Sequence, residues 1–281
     1  MVDASTSMGI VGLIVADLER SLRYYQENIG LRLNRTDGAQ AWLGAGGKDL
    51  LLLTEQEGAK PVQRGRTGLY HFALLVPSRP QLAQVLRHLI DTRTPMSGWS
   101  DHKVSEALYL SDPDGHGIEI YRDRPREEWP VMGGEVRMTV DPLDAEGLLA
   151  ELQSGGVVWT GMADSTTMGH VHLHVRNLSE AHQFYCGVLG FDAMQIFPRQ
   201  ALFVSAGGYH HHLGLNVWAG EGAPPAPNDA ARLDFYEIRI PSPEGFADCV
   251  ARLSHAGLAV HTVNDEAHLV DPSGNRIHLV R

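Results

Sequence analysis

Four stretches decide how this chain folds: Gly9-Ile10-Val11-Gly12-Leu13-Ile14-Val15, Tyr70-His71-Phe72-Ala73-Leu74-Leu75-Val76, Gly169-His170-Val171-His172-Leu173-His174-Val175 and Asp234-Phe235-Tyr236-Glu237-Ile238-Arg239-Ile240. Each reads as a short strand running into a helix start. Asp17, Ser78, Asn177 and Ser242 are the expected N-caps, with Pro243 at a first helical position. Apolar residues then recur at helical spacing: Leu18, Leu22 and Tyr25; Leu82, Leu86 and Leu89; Leu178, Phe184 and Val188; Phe246, Val250 and Leu253. Behind each helix come a glycine-containing break and further strand-like runs. In the second unit these include Ala107 to Leu110 and Ile118 to Ile120; in the fourth, His268 to Val270 and Ile277 to Leu279. The turns Asp112-Pro113-Asp114-Gly115 and Asp271-Pro272-Ser273-Gly274 nearly repeat each other.

The chain is thus read as a fourfold β-α-β-β-β repeat. Module one covers about 8–60 and module two about 66–125, together forming a first half, 1–125. Module three covers about 166–220 and module four about 231–281, forming a second half, 166–281. The connection 126–165 carries one expected helix, Asp144 to Leu152. The expected fold class is α+β, with the four βαβββ modules paired into two barrel-like cups.

Composition narrows the function. With 43% hydrophobic and 20% charged residues the chain is globular rather than disordered. A net charge of −11 argues against nucleic acid as a partner. No apolar run approaches the ~18 residues of a membrane span, and the start Met1 to Gly9 lacks the basic and apolar regions of a secretion signal. Two cysteines cannot build a disulfide framework, which leads us to expect a cytoplasmic protein. Against them stand fifteen histidines, so any metal would be held by imidazole and carboxylate rather than thiolate.

Strand parity sorts those histidines. Val171, Leu173 and Val175 form one face of their strand and His170, His172 and His174 the other. Phe72, Leu74 and Val76 turn to their helix, which leaves His71 on the concave side of the cup. Glu119 lies inside the apolar strand Gly117 to Tyr121, where an unpartnered carboxylate would be costly and a cation would remove the objection. By register Glu119 corresponds to His278 in module four and falls near Leu213 in module three; His211, two residues earlier, is placed on the same face.

On these residues the chain resembles the vicinal oxygen chelate superfamily, which includes glyoxalase I, bleomycin-resistance proteins and type I extradiol dioxygenases. Within it, the chain most resembles catechol 2,3-dioxygenase-like bacterial proteins. The matching stretches run from Gly68 to Ser78, Asp101 to Gly115, Gly169 to Leu173 and Gly207 to His212. The resemblance implies Fe(II), with Mn(II) or Zn(II) as alternatives, held by His71, Glu119 and His170. It implies His211 as acid–base histidine and Tyr109 and His102 as donors to oxygens that develop charge, while His172 is placed in the substrate lining. The implied partners are a small aromatic substrate and O2; a homo-oligomer is compatible with the sequence. Alternative readings are a glyoxalase-type lyase or isomerase, whose sites are richer in carboxylates, and a non-catalytic binding or sequestration protein. The chain departs from the familiar extradiol order, because the histidine-plus-glutamate module precedes the other. A complete triad needs module two paired with three and one with four. The one–four pair, with Ile10, Phe235 and His278 at ligand positions, would then be degenerate. Pairing one with two and three with four would instead split the ligands.

Overall fold

The structure is a computed structural model that describes residues 1–133, 135–152 and 159–281. Module one contains β1 (Ser7–Val15), α1 (Leu18–Tyr24), β2 (Arg32–Asp37), β3 (Gln40–Ala45) and β4 (Lys48–Glu55). Module two contains β5 (Gly68–Leu75), α2 (Arg79–Asp91), β6 (Met96–Asp101), β7 (Ser105–Ser111) and β8 (Gly117–Asp123). In the connection, β9 (Val131–Met132) and β10 (Glu135–Val136) form a short hairpin ahead of α3 (Ala145–Ala150). The expected helix is thus present but shorter, with Asp144 as its cap; residues 134 and 153–158 of the connection lie outside the described residues. Module three contains β11 (Thr167–His174), α4 (Leu178–His182), β12 (Asp192–Phe197), β13 (Ala201–Ser205) and β14 (Leu213–Asn216). Module four contains β15 (Arg232–Arg239), α5 (Pro243–His255), β16 (His261–Val263), β17 (Glu266–Val270) and β18 (Arg276–Val280).

All four expected caps accept the N–H three residues on: Asp17 from Arg20, Ser78 from Gln81, Asn177 from Glu180 and Ser242 from Gly245. The helices of modules one and three differ from expectation. Each runs only seven and five residues before widening into a π-turn, Tyr25–Ile29 and Gln183–Leu189. The wider turn brings Tyr25 and Tyr185 inward, where their hydroxyls donate to Asp112 at 2.9 Å and Asp271 at 2.8 Å. Those aspartates open the two Asp-Pro turns and also accept the turns' own N–H groups. The near-identity of the turns therefore has a physical content. Each holds a tyrosine from the preceding module.

Two curled eight-stranded sheets result, in the order β16-β17-β18-β15-β1-β4-β3-β2 and β12-β13-β14-β11-β5-β8-β7-β6. Module two shares a sheet with three, and module one with four; β5 meets β11, and β1 meets β15, antiparallel. This is the pairing that keeps His71, Glu119 and His170 in one cup. Alternate residues of the four first strands form one continuous core with α2 and α5, among them Val11, Phe72, Val171 and Tyr236. The module one–four cup is filled by its own side chains. Phe235 stacks on His278 with ring centroids 4.0 Å apart, and a Cβ on its cross-strand partner Gly12 would collide with the Phe235 ring. No described helix is long and apolar enough to cross a membrane.

Candidate metal centre

The site follows from the pairing of three strands. Across the sheet, His170 of β11 lies opposite Ala73 of β5, Ala73 opposite Glu119 of β8, and Glu119 opposite Tyr109 of β7. His172 lies opposite His71 in the next row. Ala73, fully buried, has only a methyl group, so the side chains of His170 and Glu119 close over it from either side. The Nε2 atoms of His71 and His170 lie 3.3 Å apart, and they stand 3.0 and 3.2 Å from Glu119 Oε2. All three side chains are buried, and they form the one cluster of metal-ligating groups found among the described residues.

Three electron-rich atoms at these separations fit a divalent cation. Bonds of about 2.1 Å at right angles put neighbouring donors about 3.0 Å apart, which is the spacing of ligands on one face of an octahedron. Burial, partly offset by Glu119, holds the His170 imidazole down at about 4, so it offers a lone pair at neutral pH. Burial would raise the Glu119 carboxyl, but His170 and His71 outweigh it and keep Glu119 well below its ordinary range. The donor set is therefore two imidazoles and one carboxylate, as Fe(II), Mn(II) and Zn(II) accept.

The other expected residues surround this cluster. Tyr109 donates its hydroxyl proton to His102 Nε2 at 2.6 Å, because His102 Nδ1 is committed to the Thr139 carbonyl at 2.6 Å. In this arrangement the single Tyr109 hydrogen points at His102 Nε2, and the hydroxyl oxygen faces the cavity with its lone pairs. Burial and the Glu119 carboxylate push the Tyr109 hydroxyl well above its ordinary value, which keeps that hydrogen in place. The His172 ring stands edge-on to His71 at 5.0 Å and over Gly214, where any Cβ would press on it. Its Nε2 is buried without a hydrogen-bond partner. His211 packs against His170 at 4.1 Å between ring centroids.

His211 reaches that position by a route the strand register did not anticipate. Leu213 pairs with Val171 and faces the core, so the counterpart of Glu119 in module three is Gly214. His211 precedes β14 and enters from the loop between β13 and β14. Strand alternation is uninformative before the strand begins, and loop residues choose their direction by local packing. The neighbours of His211 were also missed. His210 and His212, to which the sequence assigns no role, are buried beside it, and Asp123 at the end of β8 contacts His210.

A cavity of about 690 Å³ opens from the cluster, lined by His71, Glu119, Tyr109, His102, His172 and His211. Its outer walls are aromatic, including Tyr70, Trp99, Phe203 and Trp218.

Two curled sheets of paired βαβββ modules with a His/His/Glu cluster in one cup define the class. The chain belongs to the Glyoxalase/Bleomycin resistance protein/Dioxygenase superfamily, whose family model matches residues 7–120 and 167–279. Within it the chain is catechol-2,3-dioxygenase-like. It is 45% identical over 271 residues to Catechol-2,3-dioxygenase of Bacillus subtilis (strain 168), covering 95% of this chain and 94% of that one. Solved structures share the fold at lower identity. One from Bacillus subtilis subsp. subtilis str. 168, provisionally assigned as a dioxygenase, has a TM-score of 0.70 at 14% identity, covering 100% of this chain and 86% of its own. Glyoxalase I of Zea mays has a TM-score of 0.60 at 18% identity, covering 98% of this chain and 92% of its own.

Proposed function

We propose that the protein is a metal-dependent extradiol dioxygenase that opens the ring of a catecholic substrate with O2, at a centre held by His71, Glu119 and His170. The observation that carries this reading is the convergence of those three donor atoms within 3.3 Å of one another, beside an aromatic cavity that His71 and Glu119 line. When bound, Fe(II) would supply redox chemistry and free positions at which both substrate oxygens and dioxygen can meet.

The protein's own residues do the rest. His211 takes a catecholic hydroxyl proton and later returns it. Tyr109 turns its one hydroxyl hydrogen from His102 Nε2 to an oxygen that gains charge as the ring opens. His172 and the aromatic walls orient the ring and exclude water. A glyoxalase-type centre is less well supported, because the described cluster holds a single carboxylate. The cytoplasm is the compartment that suits two free cysteines, Cys186 and Cys249.

The test is anaerobic reconstitution with Fe(II), followed by a panel of catechols in aerated buffer. Yellow ring-opened products and matching O2 consumption are expected. A fully iron-loaded protein that leaves the whole panel untouched refutes the proposal.

A further inference from the structure

His210 and Asp123 take no part in the chemistry above, yet they form a continuous line behind His211. His210 is 0% exposed. Its Nδ1 lies 2.8 Å from His211 Nδ1, and its Nε2 lies 2.9 Å from Asp123 Oδ1. Asp123 also accepts the Tyr209 hydroxyl at 3.0 Å, and the Tyr209 oxygen lies 2.7 Å from the Tyr121 hydroxyl. The line joins two modules. Asp123 ends β8, the strand that carries Glu119, and the histidines stand just before β14.

The direction of each hydrogen bond follows from its far end. A carboxylate can only accept, so His210 Nε2 carries the hydrogen. With a single hydrogen on the ring, His210 has a bare Nδ1, and the nitrogen 2.8 Å from it, His211 Nδ1, is then the donor. His211 is left with its lone pair on Nε2, which has no hydrogen-bond partner among the described residues, and the ring lines the cavity.

We propose that Asp123 and His210 are positioning residues that hold His211 in the Nδ1–H tautomer, with Nε2 as the basic nitrogen turned to the substrate. The tautomer assignment stands on the hydrogen-bond line alone; its kinetic consequence rests on the catechol reading. In the step concerned, a substrate O–H bond breaks and an N–H bond forms at His211 Nε2. The positive charge then lies in line with the Asp123 carboxylate through His210, and the proton later returns to the product. The logic is that of any carboxylate that orients a histidine base without accepting the proton itself.

Selective 15N-histidine labelling of the metal-free and zinc-loaded protein reads each tautomer through two-bond 1H–15N correlations. Wild-type His211 is expected to carry its hydrogen on Nδ1. In Asp123→Asn the amide can donate to His210 Nε2 and reverse the line, which moves the His211 hydrogen to Nε2. Iron-loaded Asp123→Asn is expected to lose about 10²–10³-fold in kcat on catechol, with KM and iron content within about threefold of wild type.

Two further variants separate positioning from mere filling of space. His210→Asn keeps an acceptor where Nδ1 stands, and His210→Gln keeps a polar group only on the Asp123 side. His210→Asn should therefore retain at least about tenfold more kcat, although glutamine is the larger residue. An Nε2–H tautomer of His211 in the wild type, an unshifted tautomer in Asp123→Asn, or equal kcat in the two His210 variants overturns the proposal. A wild type that cleaves no catechol refutes the catalytic reading instead and leaves the tautomer measurement decisive for this one.

Discussion

Acid should weaken the protein through His212, next to the histidine assigned to proton transfer. His212 is 8% exposed, and its Nδ1 accepts the Ala206 backbone N–H at 3.2 Å and lies 3.0 Å from Ser205 Oγ. A proton on Nδ1 would face the Ala206 N–H directly. Burial first, then the neighbouring His210 and His170, lower the imidazole from 6.5 to about 4. The folded value lies below the unfolded one, so the contribution is complete above pH 6.5 and fades as pH falls towards 4. A difference of about 2.5 pK units corresponds to roughly 3 kcal/mol in full, of which about 2 kcal/mol is gone by pH 5. His212→Asn supplies a test, because its amide oxygen stands where Nδ1 stood and does not titrate. Urea unfolding of the metal-free wild type and variant at pH 7.5 and pH 5.0 gives four stabilities. The variant should start about 1–2 kcal/mol lower, from lost ring packing, and then fall by about 2 kcal/mol less than the wild type between the two pH values. Equal losses in both proteins would refute the assignment of this pH dependence to His212.

Glu119→Ala or His170→Ala should abolish retention of Fe(II) or Zn(II) after desalting, while His278→Ala retains it; metal loss in His278→Ala would contradict the pairing of the cups. Ala73→Val adds two methyl groups between His170 and Glu119, so titration calorimetry should show metal affinity lower by about 10–100-fold in a folded protein, the equivalent of about 1–3 kcal/mol of overpacking. Tyr25→Phe removes the hydrogen bond to Asp112 and Tyr185→Phe the equivalent one to Asp271. Each should cost about 1–3 kcal/mol and lower Tm by several degrees. A variant that melts with the wild type would show that its aspartate does not depend on that tyrosine.

The repeat could be read from the sequence because its signals are local. The caps Asp17, Ser78, Asn177 and Ser242 precede helices in the structure, and strand alternation put His71, Glu119, His170 and His172 on one face. A strand turns each side chain relative to its neighbour whatever lies beyond it. His211 marks where that logic stops, because it lies before its strand, and its Nδ1 meets His210, which in turn meets Asp123, 87 residues from His210 in the chain. The π-turns at Tyr25 and Tyr185 have the same origin, since each answers an aspartate in the next module.

Sequence alone therefore determined the four modules, their faces and the residue types able to hold a metal. The choice of which modules share a sheet was tertiary. Backbone N–H and C=O groups on one strand edge are chemically like those on another, so hydrogen bonding alone does not select a partner. Selection comes from side chains that meet only after assembly, such as Phe235 closing over Gly12 in one cup and His170 meeting Glu119 across Ala73 in the other. That choice brings His71, Glu119 and His170 together, because no single module carries all three.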